Sequence, residues 1–75
     1  MWKVDTITID DCTFEYEAKV YDKPSQFGIN EGRISKLFIY DSDDNVLAAY
    51  DRGWVKNPVN DIVRKAVDAI CELYK

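Results

Sequence analysis

Any chemistry in this 75-residue chain must come from carboxylates, two cysteines and one arginine-aromatic stretch, because it has no histidine. Without an imidazole there is no Ser-His or Cys-His nucleophile pair and no His-based general acid–base step. The carboxylates Glu15, Glu17, Asp41, Asp43 and Asp44 fall on expected strand exteriors and turns. Ordinary solvation explains them there better than paired acid–base work does. The run from Asp41 to Asn45, DSDDN, starts like a calcium loop, with oxygen ligands at its first, third and fifth positions. It then departs from that pattern, with Val46 where the loop needs glycine and Arg52 where it needs a bidentate glutamate. Cys12 and Cys71 lie far apart with no CxxC spacing, so neither a zinc site nor a disulfide framework is indicated and both are expected as reduced thiols. The expectation is a non-enzyme with no catalytic residue, metal or cofactor.

Two stretches could still bind something. GINEGR, Gly28 to Arg33, has glycine spacing but precedes a strand, whereas phosphate-cradling glycine loops open a helix. A loop needing positive φ at Gly28 and Gly32 accounts for it more simply. YDRGW, Tyr50 to Trp54, sets an arginine between two aromatics. Such a set can bracket a base by stacking and cation–π contact while the guanidinium holds phosphate or carboxylate. The competing explanation is structural: Tyr50 and Trp54 close the edge of the core, Arg52 pairs with Asp51 or the turn, and Gly53 lets the chain leave the strand. If the loops gather at one end, Arg33, Lys36, Arg52 and Lys56 form a basic spot beside Tyr50 and Trp54.

The elements that must position these residues follow from hydrophobic periodicity. Trp2 to Asp10 reads as a strand whose apolar residues change parity, Trp2 and Val4 against Ile7 and Ile9. It either serves both faces or carries a bulge near Asp5-Thr6. After a turn at Asp10-Asp11, Cys12 to Tyr21 alternates cleanly, with Phe14, Tyr16, Ala18 and Val20 on one side. That turn sets Ile9 opposite Cys12 and Ile7 opposite Phe14. Asp22 to Gly32 is a loop by composition, with Phe27 and Ile29 pinned back onto the body. Arg33 to Asp41 is the central strand, Leu37 and Ile39 on one face, Ile34, Phe38 and Tyr40 on the other. Pairing Asp41 with Val46 across the next turn brings back a strand from Val46 to Asp51 and sets Lys36 opposite Asp51. The chain ends in an amphipathic helix with Asn57 as N-cap, Pro58 as first residue and an Asp61–Lys65 pair. Its apolar stripe is Val59, Ile62, Val63, Ala66, Ala69, Ile70 and Leu73.

The fold class is therefore α+β, a four-stranded antiparallel meander with one C-terminal helix on one face, in a single domain. Hydrophobic content of 47% is too high for a disordered chain. A net charge of −4 argues against a protein that coats phosphate backbones. No apolar run approaches the length of a membrane span, and a soluble, cytoplasmic protein is expected. One helix covers one face only. The other would carry Trp2, Tyr21, Phe38 and Tyr40 with Leu47, and such a face usually meets a partner. A homodimer is the simplest.

The opening MWK, the AKVYD…S…FGINEGRISKL stretch and YDRGW resemble a family of short uncharacterised proteins from Firmicutes, their phages and mobile elements. The likeness spans nearly the whole chain, although Val55 stands where that family has an acidic residue. It implies a bacterial or phage cytoplasm and carries no activity. The first functional expectation is a non-enzymatic protein-interaction module, a regulator or inhibitor of a host defence protein. Its exterior carboxylates, Glu15, Glu17, Asp41, Asp43 and Asp44, could imitate a phosphate backbone. The alternative is a nucleotide or single-strand nucleic-acid binder using Arg33, Lys36, Arg52 and Trp54.

Overall fold

The computed structural model describes residues 1–75. Strands β1 (Trp2–Ile9), β2 (Cys12–Val20), β3 (Ile34–Tyr40), β4 (Val46–Asp51) and β5 (Trp54–Lys56) precede one helix, α1 (Asp61–Leu73). The strands form one antiparallel sheet in chain order. It therefore has five strands where four were expected. The additional strand is only three residues long. Tyr50 pairs with Trp54 and Ala49 with Lys56, so YDRGW is itself a hairpin.

Asp10 and Asp11 turn the first hairpin with φ of 50° and 68°, left-handed values that aspartate tolerates better than most residues. The expected register holds, Ile9 opposite Cys12 and Ile7 opposite Phe14. No bulge interrupts β1. It serves both faces: Ile7 and Ile9 pack against the core, while Trp2 and Val4 stand opposite Lys19 and Glu17 on the far side.

Two bulges re-aim the central strands. Lys19 pairs with Lys36 but Val20 with Ile34, so the extra residue, Ser35, shifts the parity of β3. Ile34 consequently joins the core at 2% exposure instead of sharing a face with Phe38 and Tyr40. A second shift pairs Tyr40, not Asp41, with Val46. Leu47 then packs against the core and leaves the face expected for it. Beyond that shift the register is as expected, and Lys36 Nζ lies 3.6 Å from Asp51.

The helix starts later than its sequence signals suggested. Asn60, not Asn57, is the N-cap, its Oδ1 accepting from Val63 N–H at 2.9 Å. The chain is still tied to the sheet at Val59, whose N–H donates to the Leu47 carbonyl, so helical geometry begins only after that bond. Lys65 pairs with Asp10 at 3.2 Å rather than with Asp61. Val63, Ala66, Val67 and Ile70 are the buried stripe, with Val67 in place of Val59 and Leu73. They close over Phe14, Tyr16, Ala18, Leu37, Ile39 and Ala48 to make the core. Burying side chains of this size stabilises by roughly 1.5–3 kcal/mol each. Tyr16, almost fully buried, keeps its hydroxyl satisfied on Tyr74 Oη at 2.9 Å. Burial and that neighbour hold the Tyr16 phenol well above its ordinary range. The opposite face of the sheet has no helix on it.

Candidate functional site

Ser35, the bulge residue, is 4% exposed and its Oγ has no hydrogen-bond partner. A buried hydroxyl without a partner carries a desolvation cost of about 1–3 kcal/mol, so its surroundings matter. It lines a cleft of about 340 Å³ together with Lys19, Tyr21, Ser25, Phe27, Lys36 and Arg52. Lys19 and Lys36 are direct cross-strand partners, a like-charge pairing that disfavours the sheet. Lys36 is partly offset by Asp51. Lys19 Nζ lies 5.6 Å from the Tyr21 ring centroid. The Lys19 ammonium, with Ser35 and Lys36 also near, draws the Tyr21 hydroxyl below its ordinary pKa. Tyr21 makes no hydrogen bond to Ser35 Oγ.

Arg52 reaches the cleft from the β4–β5 turn. It sits at φ 59°, a left-handed value uncommon in a residue with a long side chain. Its N–H donates to the Ser35 carbonyl at 2.9 Å. Its guanidinium carbon lies 5.3 Å from the Phe27 ring centroid, a cation–π distance. Phe27 is 47% exposed, so the ring is held over the cleft rather than pinned into the core. Tyr50 Oη donates to the Phe27 carbonyl at 2.9 Å, and Phe27 N–H donates to Ser25 Oγ at 3.1 Å.

The loop carrying Ser25 and Phe27 is shaped by Gly28, though not through positive φ. Gly28 and Gly32 have φ of −78° and −99°, and Asn30 and Glu31 take the left-handed values instead. A Cβ on Gly28 would lie 2.1 Å from the Gly32 carbonyl oxygen, so close approach is what demands glycine. Ile29, at 5% exposure, anchors the loop in the core.

The expected basic spot is thus divided. Lys36 and Arg52 meet in the cleft, joined by Lys19. Arg33 turns away, its Nε donating to the Tyr21 carbonyl at 2.7 Å. It lines a second cleft of about 210 Å³ with Cys71 and Tyr74. Lys56 stands opposite Ala49 and lines neither cleft. Trp54 packs edge-on against Tyr50 with centroids 5.1 Å apart. Arg52 makes no ion pair with Asp51; Lys36 takes that carboxylate. Lys19 could have been found from sequence by extending the β2–β3 pairing. Ser35 gives no such signal, because an unpaired bulge residue leaves no periodic trace.

The open face carries the other expected set. Trp2, Phe38 and Tyr40 share it with Val4, Glu15, Glu17, Lys19 and Lys36. Tyr40 is raised above its ordinary pKa by burial and by the Glu17 carboxylate. Ala49, on this same face, is only 6% exposed. Asp41 organises the β3–β4 turn, its carboxylate accepting from the Asp43 and Asn45 backbone N–H groups and from the Asn45 amide. Those bonds, Asn45 foremost, hold it below the usual carboxylate range. Cys12 and Cys71 are free thiols, and no group of three His, Cys, Asp or Glu side chains gathers to hold a metal. No helix is long and apolar enough to cross a membrane.

One family, Domain of unknown function (DUF7678), matches residues 1–75, the whole chain. The chain belongs to that family. Membership brings no activity with it, since the family's description assigns none. Comparison with curated proteins gives no match, and comparison with solved structures gives none either. The open face and the cleft therefore have to be read on their own chemistry.

Proposed function

We propose that this chain is a non-enzymatic protein-interaction module whose working surface is the open face of the sheet, and that it meets a second copy of itself there. The observation that carries the reading is apolar surface on an uncovered face, Trp2 and Val4 on β1 and Phe38 and Tyr40 on β3, flanking the charged β2 row of Glu15, Glu17 and Lys19, with Val4 73% and Trp2 48% exposed. Exposed apolar side chains gathered on one face of a sheet and rimmed by charge mark an interaction surface. Charge favours a second copy over a nucleic acid. Along β2 the open face runs Glu15, Glu17, Lys19. A two-fold axis lying across the strands sets the acidic half of one copy on the basic end of the other, an isologous arrangement.

The cytoplasm, where Cys12 and Cys71 stay reduced, is the compartment proposed. A phage or mobile-element setting, with a host protein as further partner, belongs to the same proposal and rests on the GRISKL and YDRGW resemblance. Sedimentation velocity tests the surface. Wild type is expected to dimerise with rising concentration, and Val4→Arg to remain a folded monomer because residue 4 is free in the monomer. Unaltered dimerisation of Val4→Arg refutes the open face as the contact.

A further inference from the structure

We infer that the cleft beneath Phe27 is an oxyanion site that takes the phosphoryl group of a small ligand. Three cations, Lys19, Lys36 and Arg52, line it, and only Lys36 has an acidic partner, Asp51 at 3.6 Å. The net excess is two positive charges, which matches a phosphoryl group and exceeds what a single carboxylate neutralises. The second observation is independent of charge. Ser35 Oγ is buried and without a partner at the wall of this cleft, a donor whose cost is offset when an acceptor oxygen arrives.

Two features that disfavour the fold by itself point the same way. Lys19 faces Lys36 across the β2–β3 ladder, a repulsion that an anion between the ammoniums relieves. Arg52 is held at φ 59° with its guanidinium over Phe27, and such strain collects at ligand clamps. The rings of Phe27 and Tyr21 offer apolar surface to whatever the phosphoryl group is attached to. All the lining residues come from one chain, and because Lys19 also forms the basic end of the proposed dimer face, a bound anion and the second copy's carboxylates compete for it.

The test is an amide chemical-shift titration of the isotope-labelled full chain at low salt. Inorganic phosphate, adenosine monophosphate and a thymidine oligonucleotide are the probes. Saturable shifts of Lys19, Ser35, Lys36 and Arg52 with phosphate are expected. Ser35→Ala should weaken binding about tenfold, the loss of one hydrogen bond to a charged group. Its thermal stability should be equal or higher, because an unpaired hydroxyl is gone. Lys19→Gln should weaken binding at least as much. Equal affinity for phosphate and the nucleotide assigns the site to the phosphoryl group alone. Tighter nucleotide binding adds stacking on the rings, and both outcomes support the site. No saturable shift up to about 10 mM, wild-type affinity in Ser35→Ala, or binding of the oligonucleotide alone overturns it. Repeating the titration in the Val4→Arg background, which removes the proposed dimer contact without altering a cleft residue, reads the phosphate site apart from self-association.

Discussion

Gly28→Ala tests how the fold holds its cleft. The substitution adds a Cβ 2.1 Å from the Gly32 carbonyl oxygen, and both groups are backbone, so neither can swing aside. Separating them to an ordinary contact needs a displacement of about 1 Å or more. Gly28 and Gly32 each hold neighbours. The Gly32 carbonyl accepts from Ser25 N–H at 3.0 Å, and the Gly28 carbonyl accepts from Glu31 N–H at 2.9 Å. Losing both bonds costs about 1 kcal/mol each. Partial withdrawal of buried Ile29 adds about 1 kcal/mol, below the 2–5 kcal/mol of complete truncation. The sum is roughly 2–4 kcal/mol, against a total near 4–11 kcal/mol for a chain of this length.

In urea denaturation the midpoint should fall with little change in slope, and the melting temperature should drop by roughly 10–25 °C. Phosphate binding should weaken as well, because Ser25 and Phe27 ride on this loop. Gly32→Ala is the control. Its Cβ would lie 3.1 Å from the Ile29 carbonyl oxygen, which a displacement of a few tenths of an ångström relieves, so a loss near 1 kcal/mol or less is expected. A Gly28→Ala change within about 0.5 kcal/mol of wild type would refute the close-approach explanation for glycine at this position.

Two further predictions concern the helix. Asn60→Ala should cost about 1 kcal/mol by chemical denaturation, whereas Asn57→Ala, outside the helix, should stay within about 0.5 kcal/mol. Burial, with Asp68 and Glu72 adding to it, pushes the Cys71 thiol up to about 11 from an ordinary 9.0. The unfolded thiol ionises before the folded one, so stability is intact below pH 9 and declines between pH 9 and about 11. Cys71→Ser or Cys71→Ala should flatten that alkaline decline. Iodoacetamide at pH 8 should label exposed Cys12 well before Cys71, read by mass spectrometry.

The first hairpin was legible because Phe14, Tyr16, Ala18 and Val20 alternate without interruption, and a two-residue turn leaves one register that matches apolar faces. The Lys36–Asp51 pairing came out as expected although the Asp41–Val46 pairing behind it did not, because the register shift is confined to the turn end of the strands, between Ile39 and Tyr40. Ile34 and Leu47 were misplaced because Ile34 lies beyond the Ser35 bulge from the middle of β3 and Leu47 is itself the extra residue of the second bulge, and one extra residue reverses parity without altering composition. The fifth strand was missed because Trp54–Lys56 is too short to show alternation. Asn57-Pro58 mimics a helix start, yet the Val59–Leu47 backbone bond is a tertiary constraint that local signals do not carry. Among the site residues, Lys36 and Arg52 were legible as cations near strand ends. Their company was not, since Lys19 and Ser35 reach them only through the folded sheet.

The central claim, self-association through the open face, is tested most directly by charge variants mixed in solution. Lys19→Glu makes the charged open-face residues of β2 all acidic, and the double variant Glu15→Lys, Glu17→Lys makes them all basic. By sedimentation velocity each variant alone should be monomeric where wild type is dimeric, and an equal mixture should sediment as a dimer that high salt dissociates. A mixture that stays monomeric, or variants that each dimerise as wild type does, would contradict the account.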